Sequence, residues 1–333
     1  MKNTADIRKL NKKRIRSIFW RGDSYTKQQI AKITGLSVAT CNTLLNELLA
    51  SGEIIGEKTR SAEVGRSAMR YQLNKSYESI LCVTFEMVNN KRHLAWWLLS
   101  LKGNVIKSAA KDFEHLDYEK LNEQIKELFS KYKNISEIVV GVPGIAEHGV
   151  ISHCDIPELN EVALVKDLTT EFNVSITMEN DMHLKAYGLY KLKGIAKDVI
   201  TLANFPVHIM PGTASVSNGM IIKGANQFAG MVGFLPYGIS QEEYLAQLAP
   251  KTSLPLISQA LVSLISIINP STLVLTGNLI EEKLLEILKE DCKKYIPANY
   301  LPQFSYCENT DEYYLAGMYQ QVLNKREEVK NDA

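Results

Sequence analysis

At 333 residues the chain is too long for one small domain, and its 45% apolar content supplies core for two. No apolar run reaches the roughly 18–20 residues that cross a bilayer, and the start MKNTADIRKLNKKRIR lacks the apolar stretch of a signal peptide. A cytoplasmic protein without a membrane partner is therefore expected. The formal net charge of +1 hides a division: residues 1–75 hold 15 Lys and Arg against 6 Asp and Glu, and the remainder holds 23 against 31. A basic head on an acidic body directs a polyanion to the head alone, unless the basic surface is merely solvated. Cys41, Cys82, Cys154, Cys292 and Cys307 are scattered with no C-x-x-C pair, which reads as reduced structural thiols.

In chain order, Asn11–Phe19 mixes cations with apolar residues at helical spacing, and Arg21–Ser24 breaks it. Ile30, Ala31 and Ile33 give a second helix a short apolar face, which Gly35 ends as a C-terminal cap. Ser37 is placed to cap a third helix, whose inward stripe is Cys41, Leu44, Leu45 and Leu48. Its other face carries Ser37, Ala39, Thr40, Asn42, Thr43 and Asn46. After Gly52, Glu53–Lys58 and Met69–Leu73 read as two strands around a basic tip containing Arg60 and Arg66. This order matches a winged helix-turn-helix, whose second helix enters a major groove; an ordinary helical hairpin is the alternative. Ser37, Thr40, Asn42, Thr43 and Asn46 are the expected base contacts, since hydroxyls and amides can pair with base edges. Lys27, Lys58, Arg60 and Arg66 are expected at phosphates, Arg66 either there or in a narrow minor groove.

Beyond Asn74 the pattern changes. Strand-like runs at Ile80–Phe85, Leu94–Leu99, Ile138–Val142, Val199–Ala203 and Thr272–Thr276 alternate with helix-like stretches at Asp117–Tyr132, Leu164–Phe172, Asp181–Lys191 and Leu256–Ile268. Such alternation means an α/β domain. Leu256–Ile268 is apolar almost all round, which suits an interior helix or a subunit interface. The neighbours His153 and Cys154 point to opposite faces of a strand and read as packing.

The string GDSYTKQQIAKITGLSVATCNTLLNELLASGEIIGE, followed by VGRSAMRYQLN, resembles the head of ROK family regulators (repressor, open reading frame, kinase). That family has a Gly-Gly-Arg segment where this chain has Val64, Gly65 and Arg66. The resemblance continues through Gly141–Gly144, Glu179–Asp181, Gly219 to Gly230, and Leu273–Gly277. It implies residues 1–75 as a winged helix-turn-helix, 76–325 as an actin-like (ribonuclease H-like) two-lobed sugar-kinase-type domain, and 326–333 as a charged tail.

The resemblance also implies two glycine-rich phosphate loops, and neither is present. Near Cys82–Asn90 the chain reads CVTFEMVNN, without glycine, and before Gly219 it reads His208 to Ala214 with Met210 and Pro211. Glycines let backbone N–H groups approach phosphates, and proline removes a donor. Asp181 matches the kinases' general base, and Asn160 and Asn180 match other sugar contacts, so these three are the expected ligand residues. Met231 and Phe234 stand where the family has a sugar-binding Glu and a His, and the zinc-binding cysteines that should follow are missing. No metal, no cofactor and no catalytic residue is expected. The expected function is a sequence-specific repressor that binds a double-stranded operator as a homodimer or higher oligomer and answers to a sugar. The alternatives are a regulator controlled by a protein partner and an active sugar kinase with a DNA-binding head.

Overall fold

The computed structural model describes residues 4–21, 24–60, 67–88, 90–194 and 198–331. The head opens with α1 (Thr4–Arg21), then a short strand β1 (Tyr25–Thr26), α2 (Lys27–Thr34) and α3 (Val38–Ala50). Thr26 and Gln29 form a reciprocal capping box at the start of α2, and Gly35 ends it in the left-handed region at φ 71°. Ser37 caps α3 by accepting from the Thr40 amide at 3.1 Å. The hairpin β2 (Ile54–Arg60) and β3 (Ser67–Leu73) joins β1 in a sheet of order β1-β3-β2. Ile15, Phe19, Ile30, Leu45, Leu48 and Ile54 fill the space between. The inward stripe expected for α3 is buried throughout.

The body contains one sheet plan used twice. In the first lobe β4 (Ser79–Val88), β5 (Lys91–Ser100) and β6 (Val105–Phe113) form an antiparallel meander. After α4 (Tyr118–Lys131) come β7 (Ile135–Val142), the small hairpin β8 (Gly144–Glu147) and β9 (Val150–Cys154), α5 (Leu164–Phe172) and β10 (Ser175–Asn180). Strands β7 and β10 add parallel beside β4, giving the order β10-β7-β4-β5-β6. Next, α6 (Asp181–Lys193) leads to the second lobe, where β11 (Val199–Asn204), β12 (Gly212–Ser217) and β13 (Met220–Ile221) repeat the meander. Following α7 (Gln241–Gln247) and α8 (Leu254–Ile268), β14 (Thr272–Thr276), α9 (Leu285–Lys293) and β15 (Gln303–Tyr306) complete the order β13-β12-β11-β14-β15. The two sheets share strand order and direction, which is the actin-like duplication.

Helices α4 and α5 cover the outer face of the first sheet, and α7, α8 and α9 cover that of the second. The last helix, α10 (Asp311–Asn331), returns to the inner face of the first sheet through Tyr314, Met318 and Val322. It runs on into the stretch that the sequence sets apart as a charged tail. Helix α6 packs on the inner face of the second sheet and is buried from Met182 to Tyr190. Helices α6 and α10 cross at glycines: a Cβ on Gly188 would lie 1.8 Å from the Tyr313 carbonyl oxygen, and one on Gly317 1.9 Å from that of Leu184. Only glycine allows this crossing, and the crossing places the start of α6 at the floor between the lobes.

Candidate functional site

Helix α3 turns its polar face outward. Ser37, Thr43 and Asn46 are exposed, together with Val38 and Ala39, and Thr40 and Asn42 are half-buried. Not all of these groups are equally available. The Ser37 and Thr40 hydroxyls lie 2.8 Å apart within the helix cap, and Thr43 Oγ1 donates to the Ala39 carbonyl at 3.3 Å. Lys27 Nζ donates to Asn42 Oδ1, so one expected phosphate contact holds one expected base contact. Asn46 is the exposed amide of the face. Lys58 is exposed on β2, whereas Arg66 and the Arg60 side chain lie outside the described residues. Behind the helix, Arg8 and Lys12 of α1 pair with Glu47, and Arg16 clasps Glu53 with two hydrogen bonds of 2.5 and 2.6 Å. These pairs tie α1 to α3 and to the start of the hairpin, while the polar face of α3 carries no charged side chain.

The second region is the floor between the lobes. Asn180 caps α6: its Oδ1 accepts from the His183 amide at 2.9 Å, and its Nδ2 donates to the Gly144 carbonyl at 2.6 Å. Both ends of that amide are committed, so the structure gives Asn180 a capping role and fixes the β8–β9 hairpin beside α6. Asp181 Oδ2 accepts from Lys185 Nζ at 2.9 Å one turn on, and that ammonium lies 4.8 Å from the centre of the Tyr314 ring. Lys185 is buried. Burial works against its charge, but Asp181 and Glu86 outweigh it and raise its pKa. Asp155, just past the end of the same hairpin, is exposed to solvent. Desolvation and the Asp181 charge push its carboxyl up to about 7.

Asn160 follows a short turn of 3-10 helix, Pro157–Leu159, which Arg92 of β5 pins through Glu158 at 2.6 Å. The Asn160 Oδ1 and the Tyr314 hydroxyl are buried without a hydrogen-bond partner. A cavity of about 350 Å³ opens beside Glu86, Lys185, Asp311 and Tyr314. Of the expected ligand residues, Asp181 and Asn160 keep acceptor capacity, and Asn180 has its oxygen and its nitrogen each in one internal hydrogen bond. Sequence reasoning passed over Asp155, Lys185 and Tyr314. The four-residue spacing of Asp181 and Lys185 on one helix face was the available signal for that pair.

Glu179, the first of the polar triad, is taken up by structure. Its carboxylate accepts from the Asn180 amide, meets His183 Nδ1 at 2.9 Å and pairs with Lys223. Burial opposes its charge, but the hydrogen bond from His183 and the Lys223 charge hold its carboxyl below the usual range.

Residues 93–244 match the ROK family. This chain carries a ROK family domain. A xylose repressor from Caldicellulosiruptor bescii is 25% identical over 244 residues, 70% of this chain and 60% of the relative, so the match spans less than two thirds of that protein. Among solved structures, a ROK family transcriptional regulator, homologue of the E. coli MLC protein, superposes with a TM-score of 0.68 at 16% identity, covering 97% of this chain and 98% of that one. A ROK family glucokinase from Streptomyces griseus, in complex with glucose and AMPPNP, superposes with a TM-score of 0.57 at 12% identity, covering 73% of this chain and 98% of that one.

In the body both expected phosphate-loop segments are built as something else. Residues 82–88 lie in β4 and pair with 91–97 of β5, so their backbone belongs to a sheet ladder. In the second segment the His208 amide donates to the Leu248 carbonyl and the Thr213 amide to the Gly230 carbonyl, while Pro211 has no amide hydrogen. Met210 fills the space against Gly233. Met231 precedes and Phe234 ends another short 3-10 turn, Val232–Phe234, and Phe234 lies 5.2 Å from Phe228, centroid to centroid. Phe228 and Met231 line an apolar cavity of about 210 Å³ with Ile222, Val232 and Ile267. No helix among the described residues is long and apolar enough to cross a membrane.

Proposed function

We propose that the chain is a sequence-specific DNA-binding regulator, a repressor, whose ROK domain binds a sugar without phosphorylating it. The observation that carries this reading is the pairing of two features. A head with a net charge of +9 over residues 1–75 presents a polar, uncharged helix face to solvent, and the body engages its phosphate-loop backbone in internal hydrogen bonds. Asn46, Ser37 and Thr43 would meet base edges, with Val38 and Ala39 available to thymine methyl groups. Lys27 and Lys58 would neutralise phosphates, and docking would exchange the Lys27–Asn42 bond for contacts to DNA. The protein acts as a dimer or higher oligomer, because two heads reach two half-sites about one helical turn apart.

The effector sits between the lobes. Asp181, Asp155 and Asn160 offer acceptors to hydroxyl groups, and the apolar surface at Met231 and Phe234 favours a sugar with fewer hydroxyls. A pentose fits that description, and a xylose repressor is among the relatives. Asp181 spends one oxygen on Lys185, which suits a hydrogen-bonding role better than that of a free general base.

Gel-shift titration of the full chain on fragments of its own genomic DNA, with and without pentoses and hexoses, tests this function. At least one free sugar should shift the DNA affinity about tenfold or more, on the order of the coupling energies common in allostery. Asp181→Ala should abolish that shift and leave the sugar-free affinity intact. A sugar response that survives in Asp181→Ala, or transfer of phosphate from ATP to any sugar, would contradict the proposal.

A further inference from the structure

A cavity of about 640 Å³ lies at the joint of head and body, inside the range of small-molecule sites. Both domains line it: Ser17 and Leu73 come from the head, Tyr77 from the connection, and Glu137, Gln320 and Leu323 from the body. Most of the charge in its walls is engaged within the protein. Arg16 clasps Glu53, Arg326 lies 3.7 Å from Glu78 and 3.4 Å from Glu137, and Lys325 donates to Ser175, Ile176 and Thr177. An ion entering this space would have to compete with those pairs, so the walls favour an uncharged guest.

Neutral hydrogen-bonding capacity, by contrast, is left over. Glu137 Oε1 is buried without a partner, on a side chain only 5% exposed. Burial pushes its carboxyl up in spite of the Arg326 and Lys325 charges, as befits a carboxyl short of donors. A buried acceptor left unmatched is costly and takes a donor from whatever occupies the space. On α10 the half-buried Gln320 side chain makes no hydrogen bond among the described residues, and Asn324 spends its nitrogen on the Tyr187 hydroxyl at 3.0 Å. Ser17 donates to the Arg14 carbonyl at 2.8 Å and keeps lone pairs to accept. Leu73, Tyr77 and Leu323 add an apolar surface on which the C–H face of a ring can rest.

We propose that this joint cavity is a binding site for an uncharged polyhydroxylated small molecule, a neutral sugar or sugar alcohol, that touches head and body at once. One hydroxyl donates to Glu137 Oε1, a second pairs with the Gln320 amide, and the C–H face rests on Tyr77 and Leu323. The site shares no lining residue with the cavity beside Lys185 and Tyr314, and it does not depend on the sugar assigned to the interlobe cleft.

Isothermal titration of the full chain carrying Asp181→Asn, with glucose, xylose, sorbitol and sucrose as probes, reads this site apart from the cleft. At least one of the four should bind. Adding Glu137→Met should weaken that binding about tenfold by removing the acceptor, and adding Gln320→Leu about fivefold. Gln320 is half-buried and makes no side-chain bond to lose, so its variant carries the test if Glu137→Met fails to fold. Gluconate, which adds a carboxylate to a chain of hydroxyls, should bind no tighter than the best neutral probe. Absence of binding by all four neutral probes would overturn the proposal. So would binding that Glu137→Met and Gln320→Leu both leave unchanged, or a preference for gluconate.

Discussion

Desolvation first, and then the Asp181 charge, push the Asp155 carboxyl up, while the Lys185 charge works the other way. These effects carry it up to about 7 in the fold, against about 3.9 in an unfolded chain. The fold therefore holds this proton more tightly than the unfolded chain does. The contribution to stability is complete below pH 4 and is lost as pH rises through 7. Asp155→Asn should raise the midpoint of thermal unfolding at pH 8 and leave it nearly unchanged at pH 4. Solvent screening limits the gain to about 1 kcal/mol, or roughly 2 °C for a protein of this size. Melting curves at the two pH values check it, and an equal shift at both would contradict the assignment. On α3, the Lys27–Asn42 bond leaves Asn46 the freer amide, so the proposed DNA reading rests on it before Asn42. Asn46→Ala should thus reduce discrimination between specific and random DNA by about 1–3 kcal/mol and barely change non-specific affinity. Competition titrations measure both. The outward polar face of α3 was legible from spacing alone, because a helix buries every third or fourth residue. The Lys27–Asn42 bond and the approach of Asp155 to Asp181 were not, since each depends on how separate elements pack.

Among the elements, those with a strong apolar signal appear close to their expected bounds: β14 at Thr272–Thr276, α5 at Leu164–Phe172, and α4 within Asp117–Tyr132. Strand β6 gave no signal. It is an edge strand exposed along nearly its whole length, so neither alternation nor an apolar run marks it. Helix α10 packs against α6 on one side and the first sheet on another, which blurs the stripe that a surface helix would show. Helix α8, apolar almost all round in sequence, buries Leu256, Ile257, Leu261 and Leu264 in the second lobe while Ile267 stays 75% exposed. The α6–α10 crossing makes the sharpest demand on sequence. Gly317→Ala would drive a methyl group into the Leu184 carbonyl and should cost about 3 kcal/mol or more, as overpacking in a rigid core does. Denaturant unfolding of the variant checks this, and an unchanged midpoint would show that the two helices can separate without loss.

Over the whole molecule, the head is joined to the body by more than the chain connection. Leu101, at the turn between β5 and β6, is buried in the core of the head, and its carbonyl accepts from the Tyr319 hydroxyl of α10 at 3.0 Å. The hairpin that seats the head is thereby fastened to α10. On the proposed regulation, Leu101→Ser should leave sugar affinity unchanged and remove the response of DNA affinity to sugar; parallel ligand and DNA titrations separate the two. The basic head and acidic body were legible in the charge distribution, whereas this mechanical link was not, because Leu101 looks like any apolar residue at a strand end. The most direct test of DNA reading is selection of duplexes from a random pool by the full chain, followed by sequencing. Enrichment of one motif with two half-sites about a helical turn apart is expected, with retention that falls steeply as salt rises. A pool that stays random after repeated rounds, or that is not retained even at low salt, would contradict the assignment of the head.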